Sequence, residues 1–140
     1  MVRINLIPPS KLSDQHLIAE YNEILMLLGH IRKYPEPNNV PIEFTLGKGH
    51  VTFFKDKLGY LVKRHNELSK EMRNRGFKPK KRISLSGFPK NLIKEWKPSK
   101  KDELIVKRRI EEKIRSKPGF YRYFGKKRPV SFFIRKLREA

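Results

Sequence analysis

The stretch LSDQHLIAEYNEILMLLGHIRK, residues 12–33, is the starting point of the fold prediction. Ser13 or Ser10 can act as the N-cap, and Pro8-Pro9 stops a helix from extending further toward the N-terminus. The stretch therefore predicts a long helix with one buried face. Its apolar residues recur at helical spacing, and the predicted core face is formed by Ile18, Tyr21, Leu25 and Leu28.

Two further helical patterns follow along the chain. Residues 51–75 carry an apolar stripe that steps by four and three positions, and Gly76 comes where a helix C-cap would lie. A third helix is expected to begin near Ser99, which resembles a capping box together with Asp102, and to end before Pro118. Convincing strands are few. The prediction is an all-α fold, a compact three-helix single domain with long connecting loops.

The length of 140 residues and the absence of internal repeats indicate one domain spanning residues 1–140. Within it, residues 126–140 are predicted to be a basic C-terminal tail. Four apolar side chains could anchor this tail: Phe132, Phe133, Ile134 and Leu137.

The net charge is the strongest feature of the composition. The chain carries 34 lysines and arginines against 14 acidic residues, a formal net charge of +20. Residues 107–140 alone hold thirteen basic residues and three glutamates. Solubility does not require so strong a field, and contact with phosphates is its simplest use. The charge predicts a polyanionic partner, although a ribosomal or chromatin protein fits the composition equally well.

Several classes of function are excluded or disfavoured by what the sequence lacks. Without cysteine there are no disulfides, no cysteine-based zinc finger and no thiol catalysis. No apolar run approaches the ~20 residues of a membrane helix, and the N-terminus lacks the apolar core of a signal peptide. A soluble intracellular protein without a membrane partner is expected. No metal site is expected either, because no two histidines have i, i+4 spacing. The histidines are His16, His30, His50 and His65.

One face of the first helix carries an imidazole and a carboxylate. His16 and Glu23 are seven residues apart, two helical turns, and Glu20 is close by. Such a pair can act in acid–base chemistry. The spacing alone is more typical of a solvated helix face, so both interpretations stay open at this point.

An aromatic and basic turn, FYRYF at positions 120–124, follows the third helix. Rings interleaved with basic side chains suit stacking on unpaired bases and contact with phosphates. The alternative is that the rings anchor the end of the helix. This alternative is favoured for Phe120 and Phe124 more than for Tyr121 and Tyr123.

Short motifs that resemble one family occur in order along nearly the whole chain. They are Arg3-Ile4-Asn5-Leu6, Asp14-Gln15-His16-Leu17, Ala19-Glu20-Tyr21, Glu23, Gly47-Lys48-Gly49-His50-Val51-Thr52-Phe53-Phe54, Asp56-Lys57-Leu58, Arg75-Gly76-Phe77, Glu112-Lys113-Ile114, Pro118 and Tyr121-Arg122-Tyr123-Phe124-Gly125-Lys126. In this order they resemble the bacteriophage pyrimidine-dimer DNA glycosylases, the endonuclease V family. Residues 78–100 and the last dozen residues show no such resemblance.

The resemblance implies a three-helix DNA glycosylase with an associated abasic-site lyase activity, acting without metal or cofactor. It implies that the nucleophile is the α-amino group of Val2, exposed once Met1 is removed, and valine is small enough to permit that removal. It also implies that Glu23 is catalytic, as the carboxylate that steadies the cationic intermediate and assists proton removal.

The resemblance further implies the partner and its contacts. The partner is double-stranded DNA containing lesions, bound by a monomer in the cytoplasm, in association with the nucleoid. The implied DNA-binding residues are Arg3, Gln15, His16, Arg109, Lys113, Tyr121 and Arg122.

Two residues depart from the family pattern. Asn22 and Met26 stand where the resemblance places arginines that contact DNA around the lesion. The substrate is therefore left open between pyrimidine dimers, a different lesion and a plain abasic site. The basic residues after Lys107 could supply the missing phosphate contacts.

Two other classes of protein remain as alternatives, a non-catalytic basic DNA-binding module and a structural RNA binder.

Overall fold

The computed structural model describes residues 3–140, which form five α-helices and a short antiparallel ribbon. The helices are α1 (Asp14–Lys33), α2 (His50–Phe53), α3 (Leu58–Asn74), α4 (Lys100–Ser116) and α5 (Val130–Glu139), and the ribbon pairs β1 (Arg122–Tyr123) with β2 (Lys126–Lys127). The fold is all-α in outline, but the described residues hold five helices where the sequence predicts three. Within residues 3–140, no helix has both the length and the apolar character needed to span a bilayer.

Helix α1 begins at the predicted cap. Ser13 Oγ accepts a hydrogen bond from the backbone N–H of His16 at 3.1 Å. The buried face is offset from the predicted one, because Ile18 and Leu25 are only partly buried. Tyr21 and Leu28 are buried as predicted. The buried apolar side chains are Leu17, Tyr21, Ile24, Leu27, Leu28 and Ile31. This offset leaves a partly exposed strip through positions 16, 19 and 23, which contributes to the site described below.

The second helical pattern is divided at Lys57, which is a correction to the single predicted helix. A 3₁₀ turn follows α2, and Lys57, with φ −122° and ψ 42°, is not helical. Lys57 instead pairs with Ile93 in an antiparallel bridge. The adjacent rings of Phe53 and Phe54 are both buried and both pack on Trp96. A uniform α-helix sets neighbouring residues about 100° apart, so these tertiary contacts outweigh the helical pattern.

Helices α1 and α3 are joined by a buried ion pair. Arg64 donates through Nε and Nη2 to the two carboxylate oxygens of Glu20, at 2.6 and 3.0 Å, and through Nη1 to the Ile7 carbonyl at 2.6 Å. Glu20 is fully buried and Arg64 is 3% exposed. Glu20 is therefore committed to this pair and is not available as a partner for His16.

The predicted C-terminus of α3 and the predicted N-terminus of α4 are both confirmed. Gly76 adopts φ +90°, and the Phe77 N–H donates to the Met72 carbonyl at 2.9 Å, which closes α3 in a Schellman motif. At the start of α4, Ser99 and Asp102 exchange both hydrogen bonds of a capping box, at 3.0 and 3.1 Å.

The predicted basic tail, residues 126–140, contains β2 and α5. Helix α5 lies antiparallel to α4, since its first turn meets the end of α4 and Lys107 Nζ donates to the Ala140 carbonyl at 2.7 Å. A ten-residue helix is marginal on its own, so packing against α4 determines its formation. Three of the four predicted anchors are its buried side chains, Phe133, Ile134 and Leu137.

Candidate functional site

The N-terminal segment, α1, α4 and the turn after α4 enclose an open cleft of about 440 Å³. The cleft contains six of the nine predicted site residues: Arg3, Gln15, His16, Arg109, Lys113 and Tyr121. Its other lining residues are Asn5, Ala19, Lys117 and Phe120. Helical spacing explains the basic wall, because Arg109, Lys113 and Lys117 repeat every four residues of α4 and the turn that follows it. The cleft is therefore lined by both cationic side chains and aromatic rings.

His16 is held as a neutral ring inside the cleft. Its imidazole stacks on Tyr121, with 5.0 Å between ring centroids and 7° between planes. Burial, reinforced by the charges of Arg109 and Lys113, lowers the pKa of His16 to about 4. Nδ1 lies 2.8 Å from Ser13 Oγ, which can donate its hydroxyl proton there and leave the proton of the neutral ring on Nε2. At neutral pH His16 is thus an uncharged ring rather than a cationic phosphate anchor.

Gln15 fixes the aromatic turn against α1. Its Nε2 donates to the Phe120 carbonyl at 2.9 Å, and its Oε1 accepts from the Arg122 N–H at 3.0 Å. Asp14 acts beside it, because its carboxylate accepts from the N–H groups of Phe124 and Gly125 at 3.1 and 2.7 Å. The geometry gives Gln15 a positioning role, and the predicted contact of Gln15 with DNA stays a prediction.

The exposure of the side chains in the aromatic turn is the reverse of what the favoured interpretation predicts. Phe120 and Phe124 are predicted to be buried anchors, yet they are 47% and 43% exposed. Tyr121 is 8% exposed and provides the stacked wall of the cleft. Arg122 is exposed beyond the rim, where its Nη1 donates to the Gly125 carbonyl at 3.1 Å.

Of the two residues implied to be catalytic, Glu23 lies within the described part of the chain and Val2 does not. Glu23 is partly buried on α1, two turns after His16, and burial raises the pKa of its carboxyl while the charge of Arg3 opposes that rise. Arg3 lines the cleft, and its Nε donates to the Leu46 carbonyl at 2.7 Å. Val2 lies outside the described residues, so its predicted role stays a prediction.

Two further residues, Asn5 in the cleft wall and His50 behind the N-terminal segment, have no predicted role from the sequence. His50 Nε2 accepts the Ile4 N–H at 3.1 Å while Nδ1 donates to the Thr45 carbonyl at 2.8 Å, which fixes the N-terminal segment. The only sequence signal for this role is the matched motif that contains His50. Asn5 is 2% exposed in the cleft wall, and its Oδ1 has no hydrogen-bond partner among the described residues. The sequence signal for Asn5 is likewise only the matched motif that contains it.

Acidification is expected to weaken the fold through His50. Burial lowers the pKa of His50 from 6.5 to about 4, so as the pH falls the unfolded chain takes up a proton before the folded chain does. Stability is therefore lost as the pH drops from about 6.5 toward about 4, by up to about 3 kcal/mol from this group. Urea unfolding across this range measures the loss.

The matched comparison for this prediction is His50→Gln, which retains one donor and one acceptor but does not titrate. Its unfolding free energy should be lower than that of the wild type at pH 7 and should change less between pH 6.5 and 4.5. An equally steep pH dependence in the variant would contradict the assignment to His50.

A basic loop, residues 78–81, lies beside the exposed side of α1, and we call it the lysine loop. A groove of about 480 Å³, the lysine groove, contains Asn22 and Met26 on one wall and Lys78, Lys80 and Lys81 of this loop on the other. Tyr21 fixes this loop, because its hydroxyl accepts the N–H of Lys81 at 2.9 Å and lies 3.2 Å from the carbonyl of the same residue. The two positions that depart from the family pattern therefore face lysines supplied by another segment.

The metal-ligating residue types do not converge in the described part of the chain. Among residues 3–140, no three His, Asp or Glu side chains are grouped so that they could hold a metal ion. Metal independence of the reaction stays a prediction.

A comparison with protein families gives one match. A family model described as pyrimidine dimer DNA glycosylase matches residues 1–85. The match contains the N-terminal segment, α1 to α3 and the lysine loop, whereas α4, the aromatic turn and α5 lie beyond it.

Proposed function

This chain belongs to the pyrimidine dimer DNA glycosylase family, and we propose that it excises cyclobutane pyrimidine dimers from duplex DNA and cuts the resulting abasic site by β-elimination. The observation that carries the proposal is the cleft in which cations from α4 and the N-terminal segment surround the stacked pair of His16 and Tyr121. Arg3, the residue bonded to Val2, lines that cleft.

The nucleophile in this proposal is the α-amino group of Val2. An α-amine has a pKa near ~7.7–8, against ~10.4 for lysine, so a useful fraction is unprotonated at neutral pH. Neighbouring cations such as Arg3 favour the neutral amine further. The free amine attacks C1′ of the damaged nucleotide as the bond to the base breaks, and the new ammonium group gives a proton to the departing base. The sugar ring then opens, its ring oxygen takes up a proton from solvent, and a protonated imine is formed.

Strand cleavage follows from the chemistry of the imine. The imine acidifies the protons on C2′, and removal of one of them expels the 3′ phosphate by β-elimination. Glu23 is the proposed acceptor of that proton and the counter-charge to the cationic intermediate. Its partly buried position and raised pKa suit a carboxyl group that exchanges protons during turnover.

The path of the DNA is proposed along the partly exposed side of α1. Ala19 lines the cleft and Asn22 lines the lysine groove, and residues three apart are neighbours on a helix surface. A duplex lying there meets the basic wall of α4 on one side and the lysine loop on the other. The loop is thus better placed than α5 to bind the phosphates that the uncharged side chains of Asn22 and Met26 cannot neutralise.

Neutralising the lysine loop is expected to weaken DNA binding without stopping catalysis on bound DNA. In the Lys78→Gln/Lys80→Gln variant we expect affinity for duplex DNA to fall about five- to tenfold and the salt slope to fall by about 2, because two phosphates are left without a cationic partner. Fluorescence anisotropy over a range of salt concentrations measures both quantities.

The matched control for the loop is Lys70→Gln/Arg73→Gln, which removes the same charge from an exposed face of α3 that also carries Glu67 and Glu71. This control should bind nearly as the wild type does. An equal loss of affinity in both variants would show that the loop acts only through net charge.

A lyase that acts on abasic sites alone is the second candidate, favoured by the uncharged residues Asn22 and Met26 on the side of α1 that faces the proposed DNA path. One assay separates the candidates. The purified chain, in the presence of chelator, is given duplexes with a single thymine dimer, an abasic site or no lesion, and strand cleavage is followed. We expect cleavage of the first two duplexes. Cleavage of the abasic duplex alone would establish the second candidate, and cleavage of neither would refute both.

A further inference from the structure

A second basic cleft lies between α4 and α5, separate from the site described above. Its volume is about 580 Å³, and none of its lining residues is acidic. Three arginines, Arg115, Arg135 and Arg138, surround it together with the hydroxyl-bearing Ser131. The lining is completed by the apolar residues Val130 and Ile134. We refer to this feature as the α4–α5 cleft.

The α4–α5 cleft faces the opposite side of α4 from the cleft lined by Arg3, His16 and Lys113, which we call the lesion cleft. Lys113 lines the lesion cleft and Arg115 lines the α4–α5 cleft. Residues two apart on an α-helix project about 200° apart around its axis. A duplex has a persistence length of about 150 bp, so a segment lying across the lesion cleft does not wrap around one helix to reach the other side. The two clefts therefore face different stretches of nucleic acid.

The charges around the α4–α5 cleft favour a phosphodiester backbone. Arginine presents a planar fork of donors that matches phosphate oxygens, and Arg135 and Arg138 are both exposed. Glu139 pairs with Lys11 at 3.1 Å, and Glu111 lies 3.5 Å from Arg115 and offsets part of its charge, so the excess positive charge rests mainly on Arg135 and Arg138. The surface thus has an excess of positive charge and donors.

The helix that completes this cleft is held firmly in place. Phe133, Ile134 and Leu137 are buried beneath it, and Lys107 on α4 donates a hydrogen bond to the carbonyl of Ala140, the residue that follows α5. The arginines are consequently presented on a packed helix rather than on a loose tail. This segment lies outside the residues matched by the family model and among those that show no resemblance to the family motifs.

We propose that the α4–α5 cleft binds the backbone of a second DNA duplex, so that one protein molecule bridges two segments. This inference goes beyond the proposed function, because it requires neither a lesion nor Val2. A protein that holds two segments can pass from one to the other without free diffusion, which would serve a search for rare lesions. Duplex DNA is the favoured occupant because the chain belongs to a family that acts on DNA.

The test uses the full-length chain bound to an undamaged duplex on a surface, to which a second, labelled undamaged duplex is added. We expect the wild type to capture the labelled duplex and Arg135→Gln/Arg138→Gln to capture about tenfold less, with binding of the surface duplex changed less than threefold. Both arginines are exposed, so the variant should fold, and its unfolding temperature checks this. Lys70→Gln/Arg73→Gln is the matched control and should capture as the wild type does.

Each other outcome overturns the inference. Absence of capture by the wild type, or equal capture by the arginine variant, would mean that the cleft does not bind a second duplex. Preferential capture of a labelled RNA duplex would assign the surface to RNA. Because the assay contains no damaged DNA, its result is independent of glycosylase activity, and a chain that bridges duplexes yet cuts nothing would refute the proposed function alone.

Discussion

The Glu23→Gln variant is expected to bind a duplex with a thymine dimer at least as well as the wild type, yet to cut it at least about a hundredfold more slowly. The amide keeps the size of the side chain but can neither accept the C2′ proton nor balance the cationic imine. Single-turnover strand cleavage measures the rate, and anisotropy measures the binding. Loss of a negative charge near the DNA path can only favour association.

A matched control for this prediction is Glu36→Gln, the same substitution in an exposed loop residue. It should cleave at the rate of the wild type. If Glu23→Gln cleaves as fast as this control, the carboxylate is not the proton acceptor. If it loses binding together with cleavage, its role is in the architecture of the cleft rather than in the reaction.

The Glu20→Ala variant is expected to lose about 3–5 kcal/mol of unfolding free energy, because the buried guanidinium of Arg64 is left without its counter-charge. The free energy of unfolding of a domain of this size is only about 5–15 kcal/mol, so the loss is a large fraction of the total. Urea unfolding followed by circular dichroism measures it. This effect would reduce activity through the fold alone.

The double variant Glu20→Leu/Arg64→Met separates pairing from packing. Replacing both members of a buried ion pair with apolar residues is often close to neutral, so it should recover most of the lost stability. The comparison remains informative if the single variant does not fold. If Glu20→Ala loses less than about 1 kcal/mol of unfolding free energy, the buried charge of Arg64 does not depend on Glu20 as the geometry indicates.

Helix ends are the best predicted part of the fold, because their signals are local. Ser13, the pair of Ser99 and Asp102, and Gly76 each form the predicted cap or end. In each case a side chain or a backbone conformation acts on residues within one turn. Such contacts can be inferred from spacing alone.

The parts that sequence reasoning misses depend on contacts between distant segments. Helix α5 forms against α4, and the interruption at Lys57 follows from pairing with Ile93 across a long stretch of chain. The commitment of Glu20 to Arg64 likewise joins residues 44 positions apart. Sequence spacing carries no signal of these partners, so chemistry alone groups Glu20 with His16.

The candidate site is found largely by resemblance and refined by geometry. Periodicity leaves His16 and Glu23 undecided, whereas the resemblance indicates six of the residues that line the cleft; Glu23 and Arg122 are not among the lining residues. The cleft also shows what motifs do not convey. His16 is neutral, Gln15 clamps the aromatic turn, and Asn5 has an unpartnered buried oxygen among the described residues.

The central claim is that the α-amine of Val2 forms an imine with DNA, and borohydride trapping tests it most directly. The purified chain, with Met1 removal verified by mass spectrometry, is incubated with thymine-dimer duplex, chelator and borohydride. Adducts are separated on a denaturing gel and mapped by peptide. We expect a covalent adduct on Val2 with damaged duplex and none with undamaged duplex. An adduct on a lysine side chain, or none with a duplex that the protein demonstrably binds, would contradict it.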